Sequence, residues 1–166
     1  MKCVNKLPPI CLIVLGLVCT GCVSSSTRQL EDNKALVMRT FDETVKRNWA
    51  ILDELYTTDY IWHQPGRPEP LTNKESNQFM RTFLAAFPDY NNTIEDMIAE
   101  DDKVVTRFTF SGTHKGEYMG IPATGKEIVL TSIMISRIVE GKIAEEWQEF
   151  DGYSFMRQLG AIPSDQ

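Results

Sequence analysis

Residues 103–126 read KVVTRFTFSGTHKGEYMGIPATGK, and this stretch decides how the rest of the chain is organised. Residues 103–111 are rich in Val, Thr and Phe, side chains that suit a pleated, half-buried surface. Gly112, Gly116, Gly120, Pro122 and Gly125 then break any regular element. The pattern predicts a long strand that delivers His114 to the rim of a glycine-rich loop. A titratable side chain at a strand end, beside a flexible rim, is placed to form the mouth of a pocket.

Working outward, β-prone runs cover Asn92–Glu100, Glu127–Val139 and Lys142–Tyr153. They are separated by Glu100-Asp101-Asp102-Lys103, the glycine-rich loop and Glu140-Gly141-Lys142. Short acidic or glycine turns between long runs predict antiparallel hairpins. A brief helix from about Ser154 to Leu159 should stop at Gly160, a good residue for a helix end. Ahead of the strands the period changes. Val37, Phe41, Val45, Trp49, Leu52 and Tyr56 recur every three or four residues, opposite Asp42, Glu43, Lys46, Arg47 and Asp53. That spacing predicts one long amphipathic helix from about Asp32, with its aromatic stripe in the core. Tyr60-Ile61-Trp62-His63 is a short β-prone segment that ends at Gln64-Pro65-Gly66, and Pro65, Pro68 and Pro70 fix an irregular loop. Thr72 and Glu75 form a capping-box pattern ahead of Phe79, Phe83 and Phe87, and Phe87-Pro88-Asp89 closes that helix. Helices first and long strands afterwards is the order of an α+β domain, a curved antiparallel sheet with the N-terminal helices on its concave face. The curve makes a pocket.

The 166 residues suit one domain. Lys2 and Lys6 precede an apolar run from Ile10 to Val18, the layout of a secretory signal, and the run falls short of the ~20 residues a spanning helix needs. Cys3, Cys11, Cys19 and Cys22 all lie in this leader, so the domain after it carries no disulfide scaffold. Thr20-Gly21-Cys22 resembles the end of a bacterial lipobox, with Cys22 as the lipidated residue and Cys19 where leucine is usual. Val23 after the cysteine resembles an outer-membrane passenger. The expected organisation is a signal over 1–22, a flexible tether over 23–31, a domain over 32–160 and a tail over 161–166. The expected location is outside the cytoplasm, with the membrane contacted through a lipid anchor on Cys22. The net charge is −6, and loss of the leader would remove two basic residues and no acid. Nucleic acid is therefore not an expected partner, since phosphate binding needs a basic face.

Several motifs together resemble the SnoaL-like polyketide cyclases, also called ester cyclases, within the cone-shaped fold shared by nuclear transport factor 2 and ketosteroid isomerase. The carriers are Asp59-Tyr60-Ile61-Trp62-His63, Phe87-Pro88-Asp89, Arg107 with Ser111-Gly112-Thr113-His114-Lys115-Gly116, Gly120-Ile121-Pro122-Ala123-Thr124-Gly125-Lys126, and Gly141-Lys142-Ile143 through Trp147 to Asp151. The resemblance spans about residues 34–160. It implies a pocket carboxylate at Asp151 with Trp147 as its neighbour, no cofactor, a small hydrophobic ligand, and a homodimer formed through the sheet's outer face.

Alternation along the last strand sets Ile143, Glu145, Trp147, Glu149 and Asp151 against Ala144, Glu146, Gln148 and Phe150. The acidic face with Trp147 is either solvated or lines a cavity, and the resemblance favours the cavity. A carboxylate among apolar walls has a raised pKa, which suits it to take a proton from carbon beside a carbonyl and return it. Ketosteroid isomerase applies this logic on a related fold. Asp151 is thus the expected acid/base, with His114 and His63 as further catalytic candidates. Arg107 and Trp147 are the remaining donors for an enolate oxygen, and Tyr118 and Met119 on the loop would form a lid over an apolar ligand. Each has a plainer reading: Asp151 as a strand-end cap, the histidines as loop braces, Arg107 in an ion pair, Tyr118 and Met119 as loop packing. No HxxxH, cysteine pair or GxSxG motif is present in the domain, so neither a metal site nor a serine nucleophile is expected. Two functions follow: a cofactor-independent cyclase or isomerase-type enzyme, or a membrane-tethered binding module without catalysis.

Overall fold

The computed structural model describes residues 25–163, so the signal segment, Cys22 and the last three residues lie outside the described residues. Four helices, α1 (Ser25–Lys46), α2 (Trp49–Leu55), α3 (Asn73–Ala86) and α4 (Gly152–Leu159), accompany six strands. The strands are β1 (Tyr56–His63), β2 (Leu71–Thr72), β3 (Asn91–Glu100), β4 (Lys103–Thr113), β5 (Glu127–Val139) and β6 (Lys142–Phe150). They form one curved, unclosed sheet in the order β2-β1-β6-β5-β4-β3, with the helices packed against it. The expected α+β class holds.

The three hairpins behave as the turns require. Glu140 (φ 50°) and Gly141 (φ 74°) both take the left-handed conformation that joins β5 to β6 in two residues, with Val139 opposite Lys142. Asp101 (φ 50°) does the same work between β3 and β4. One pairing departs from the antiparallel expectation, because β1 runs parallel to β6. β1 arrives from the helices and extends the sheet beside the last strand, between β6 and β2.

The long N-terminal helix breaks where continuous periodicity predicts none. Arg47 adopts φ 56°, and its guanidinium donates to Leu84 O (3.1 Å) and Pro88 O (2.8 Å) at the C-terminal end of α3. A cation reaching a helix's free carbonyls is favourable, and that contact draws the chain out of α1 and into α2. Tyr56 belongs to β1. The helix also starts at Ser25, within the stretch expected to be a tether.

Thr72 caps α3 as its sequence indicates: its hydroxyl accepts from Glu75 N–H, and the Glu75 carboxylate accepts from Thr72 N–H at 2.9 Å. The core lies between the sheet's inner face and α1, α3 and α4. Phe41 meets Phe108 edge-on at 4.8 Å, and Phe83, Phe87, Tyr118 and Phe155 form a connected aromatic cluster. The glycine-rich loop is pinned at both ends. His114 N–H donates to Lys126 O (2.8 Å), Gly125 N–H donates to His114 O (2.9 Å), and Lys115 and Gly116 donate to Ala86 O at the end of α3. Its tip is a two-residue turn between Tyr118 and Ile121, with Met119 (φ 52°) and Gly120 (φ 76°) left-handed.

Candidate functional site

The concave face and the helices enclose a cavity of about 350 Å³. Its wall is chiefly aromatic, with Phe41, Trp49, Trp62, Phe83, Phe108 and Phe110 among the lining side chains. Among the lining residues described, Glu146 is the one carboxylate.

Glu146 sits on β6 between β1 and β5, opposite Trp62 on one side and Ser136 on the other. Tyr60 lies two residues before Trp62 and shares its face, so its hydroxyl reaches Glu146 Oε2 at 2.7 Å. Ser136 Oγ donates to Glu146 Oε1 at 2.7 Å. The carboxyl is 3 % exposed. Desolvation pushes its pKa above the ordinary carboxylate range, and the Tyr60 and Ser136 donors only partly oppose that rise. Tyr60 and Tyr56 are themselves raised well above the usual phenol value, first by burial and then by the Glu146 charge. Two residues along β6, Gln148 also lines the cavity, donating from Nε2 to Ser132 Oγ at 3.2 Å. The arrangement is a carboxyl of raised pKa held in fixed orientation at the edge of an apolar chamber, which suits proton transfer on carbon.

The structure divides the residues singled out in the sequence into three places. Tyr118 and Met119 lie on the cavity wall, Tyr118 buried and Met119 exposed at the loop tip. Burial holds the Tyr118 phenol at about 12, so it keeps its proton at neutral pH. Trp147, His63 and Arg107 lie on the opposite, outer face of the sheet. There the Trp147 and His63 rings stack with centroids 5.4 Å apart, and His63 Nε2 meets Glu145 Oε1 at 3.0 Å. Arg137, rather than Arg107, grips the other Glu145 oxygen, at 2.9 and 3.1 Å. Desolvation would raise the Glu145 pKa, but the His63 and Arg137 contacts outweigh it and lower the value. Arg107 is exposed, across from Asp96 and Ile133.

Asp151 and His114 occupy structural positions away from the cavity lining. Asp151 is exposed and caps α4, accepting from Ser154 N–H at 2.9 Å and Ser154 Oγ at 2.7 Å. Those bonds hold its pKa below the usual range, the reverse of what a base in an apolar pocket needs. The plainer reading of Asp151, a cap at the strand end, is the one the geometry matches. His114 is fully buried, stacks on Phe87 at 5.3 Å, and its Nδ1 accepts from Thr124 N–H at 3.3 Å. It ties the two ends of the loop together. The two histidines have separate neighbours, and the described residues contain no group of three metal-ligating side chains.

Of the polar residues that line the cavity, Glu146 and Gln148 fall on the face that alternation sets against Trp147, and the resemblance favoured the other face. The β5–β6 pairing slips between Arg137 and Ile138: Ile138 faces Ile143 while Arg137 faces Glu145. Ala144 is the extra residue of a bulge, so Ile143 and Ala144 are both buried. Beyond the bulge, the inward face passes to Glu146, Gln148 and Phe150. A signal was present on the neighbouring strand, whose inward row Ile128, Leu130, Ser132, Met134, Ser136, Ile138 is apolar except for two serines.

Comparison with known proteins follows the same outline. The family model for SnoaL-like polyketide cyclases matches residues 35–159. The chain belongs to the SnoaL-like polyketide cyclase family. Among solved structures, this SnoaL-like chain is similar to AclR of Streptomyces galilaeus, a proposed hydroxylase, at 25 % identity over 81 % of this chain and 99 % of that one, with a TM-score of 0.73. It is similar to IdmH of Streptomyces antibioticus, a proposed polyketide cyclase, at 28 % identity over 77 % and 98 % of the two chains, with a TM-score of 0.70. A SnoaL-like protein from a Jannaschia species shares the fold at 20 % identity, covering 80 % of this chain and 94 % of its own, with a TM-score of 0.74. Among curated protein sequences none matches.

Proposed function

We propose that this SnoaL-like chain is a cofactor-independent cyclase or isomerase-type enzyme acting on a small hydrophobic carbonyl compound, with Glu146 as the general acid/base. The observation that carries the reading is the buried Glu146 carboxyl, hydrogen-bonded by Tyr60 and Ser136, on the wall of an aromatic cavity. The ionised carboxylate takes the proton from the carbon beside the carbonyl, and the C–H electron pair moves into the C–C bond as the carbonyl becomes an enolate. The Tyr118 hydroxyl, on the cavity wall and protonated at neutral pH, is a donor for the enolate oxygen. The enolate then attacks an electrophilic carbon in the same molecule, closing a ring, or takes the proton back at another carbon. Similarity to IdmH, a proposed polyketide cyclase, supports ring closure.

The test uses 2-tetralone in D2O, with exchange of its α-hydrogens followed by proton NMR and its binding followed by calorimetry. Glu146→Gln keeps the shape, its amide oxygen accepting from one hydroxyl and its amide nitrogen donating to the other, so ligand binding should persist while enzyme-dependent exchange disappears. Exchange at the wild-type rate in that variant would overturn the mechanism.

A second reading, a tethered binding module, is favoured by the fact that both Glu146 oxygens already have partners and the wall is otherwise chiefly apolar. It would be exported, lipidated on Cys22 and held at a membrane. Homodimerisation through the outer sheet face accords with exposed Ile98, Val105, Val129 and Ile133 there.

A further inference from the structure

The orientation of one buried amide says what kind of ligand the cavity takes. Ser132 Oγ lies 2.9 Å from Glu149 O, and a backbone carbonyl only accepts, so the single Ser132 hydroxyl proton is spent there. Toward Gln148 at 3.2 Å, Ser132 can therefore only accept, which fixes the Gln148 nitrogen on the serine side and turns its carbonyl oxygen away. Gln148 is 9 % exposed and lines the cavity, and among the described residues nothing donates to that oxygen. That oxygen is not one of the fully buried unpaired atoms, so it opens on the cavity; a bound ligand would take the place of its water, at a cost unless the ligand supplies a donor.

We propose that Gln148 is a specificity-determining residue that accepts a hydrogen bond from a hydroxyl on the ligand, so that the preferred ligand is a hydroxylated hydrophobic carbonyl compound. Gln148 and Glu146 are two residues apart on one face of β6, roughly 7 Å along the strand. A fused bicyclic ring spans that interval, placing its hydroxyl at Gln148 and the carbon beside its carbonyl at Glu146. A ligand lacking the hydroxyl leaves the amide oxygen unpaired and pays for its desolvation.

The proposal rests on the cavity being the binding site and does not need proton transfer to occur. Calorimetry with 6-hydroxy-2-tetralone and 2-tetralone compares ligands that differ by one hydroxyl. The wild type should bind the hydroxylated ketone about five- to tenfold more tightly. Gln148→Met, similar in volume and without the acceptor, should lose that preference by weakening the hydroxylated ketone alone. Glu146→Gln should keep the preference. Equal affinities in the wild type would overturn the proposal, and so would a Gln148→Met variant that weakens both ketones alike. If the preference is present but no α-hydrogen exchange occurs, the assignment of Gln148 stands and the enzymatic reading falls.

Discussion

Tyr60→Phe removes one of the two donors that hold the Glu146 carboxyl, and its effect should depend on pH in a defined direction. The bond lost is a 2.7 Å O–H···O contact in a buried site. Hydrogen bonds to charged groups are worth about 1.5–3 kcal/mol and those between neutral groups about 0.5–1.5 kcal/mol. Because desolvation raises the folded-state pKa of Glu146, its favourable contribution to stability is complete below the ordinary carboxylate range and is lost as pH rises through the raised value. Removing the Tyr60 donor raises that pKa further. The variant should therefore lose least at acid pH and progressively more as pH rises through the raised pKa, where the charged bond is at stake. For a domain of this size, 1 kcal/mol corresponds to about 3–4 °C in melting temperature, so the drop should reach about 5–10 °C once the carboxyl is ionised. Thermal denaturation by circular dichroism at stepped pH values measures this directly. The acid limb of the pH profile for α-hydrogen exchange should move to higher pH in the same variant. A loss of equal size at every pH, with an unmoved limb, would refute the claim that Tyr60 acts through the Glu146 charge.

Further outcomes follow from the same contacts. In Glu146→Gln the pH-dependent penalty of the buried charge disappears, so its melting temperature should gain on the wild type as pH rises above the ordinary carboxylate range, and a constant offset would contradict that. At Gly116 a Cβ would stand 3.0 Å from Ala86 Cα and 3.1 Å from Ala85 O. Gly116→Ala should cost about 1–3 kcal/mol in denaturant unfolding and weaken 2-tetralone binding, because the loop that carries Tyr118 is pushed off α3. Phe87, with no exposed surface, stacks on His114 and packs on Tyr118, and Phe87→Ala should cost about 3–5 kcal/mol by the same assay.

Much of this fold can be read from local chemistry. Gly160 ends α4 in the left-handed conformation (φ 80°), and the Thr72–Glu75 box opens α3, because each rests on neighbours within a few residues. What escapes sequence reading depends on distant partners. The end of α1 is set by carbonyls of Leu84 and Pro88, far along the chain from Arg47. The parallel docking of β1 on β6 joins segments more than eighty residues apart, as the Tyr60–Glu146 bond shows. The site fails to declare itself for a subtler reason. A strict period of two sets Ile143 on the face of Glu145, Trp147 and Asp151, whereas the extra residue at Ala144 puts buried Ile143 on the inward face with Glu146 and Gln148. Family resemblance pointed to a carboxylate near the end of β6. The carboxylate that the geometry favours, Glu146, stands on the opposite face of that strand, and only the packed sheet decides which face is inward.

The choice between the two carboxylates is the most direct test of the account. Exchange of the α-hydrogens of 2-tetralone in D2O should be measured side by side for Glu146→Gln and Asp151→Asn at neutral pH. The account predicts that exchange vanishes in Glu146→Gln and continues at the wild-type rate in Asp151→Asn, whose altered residue only caps α4. Loss of exchange in Asp151→Asn with activity intact in Glu146→Gln would contradict it.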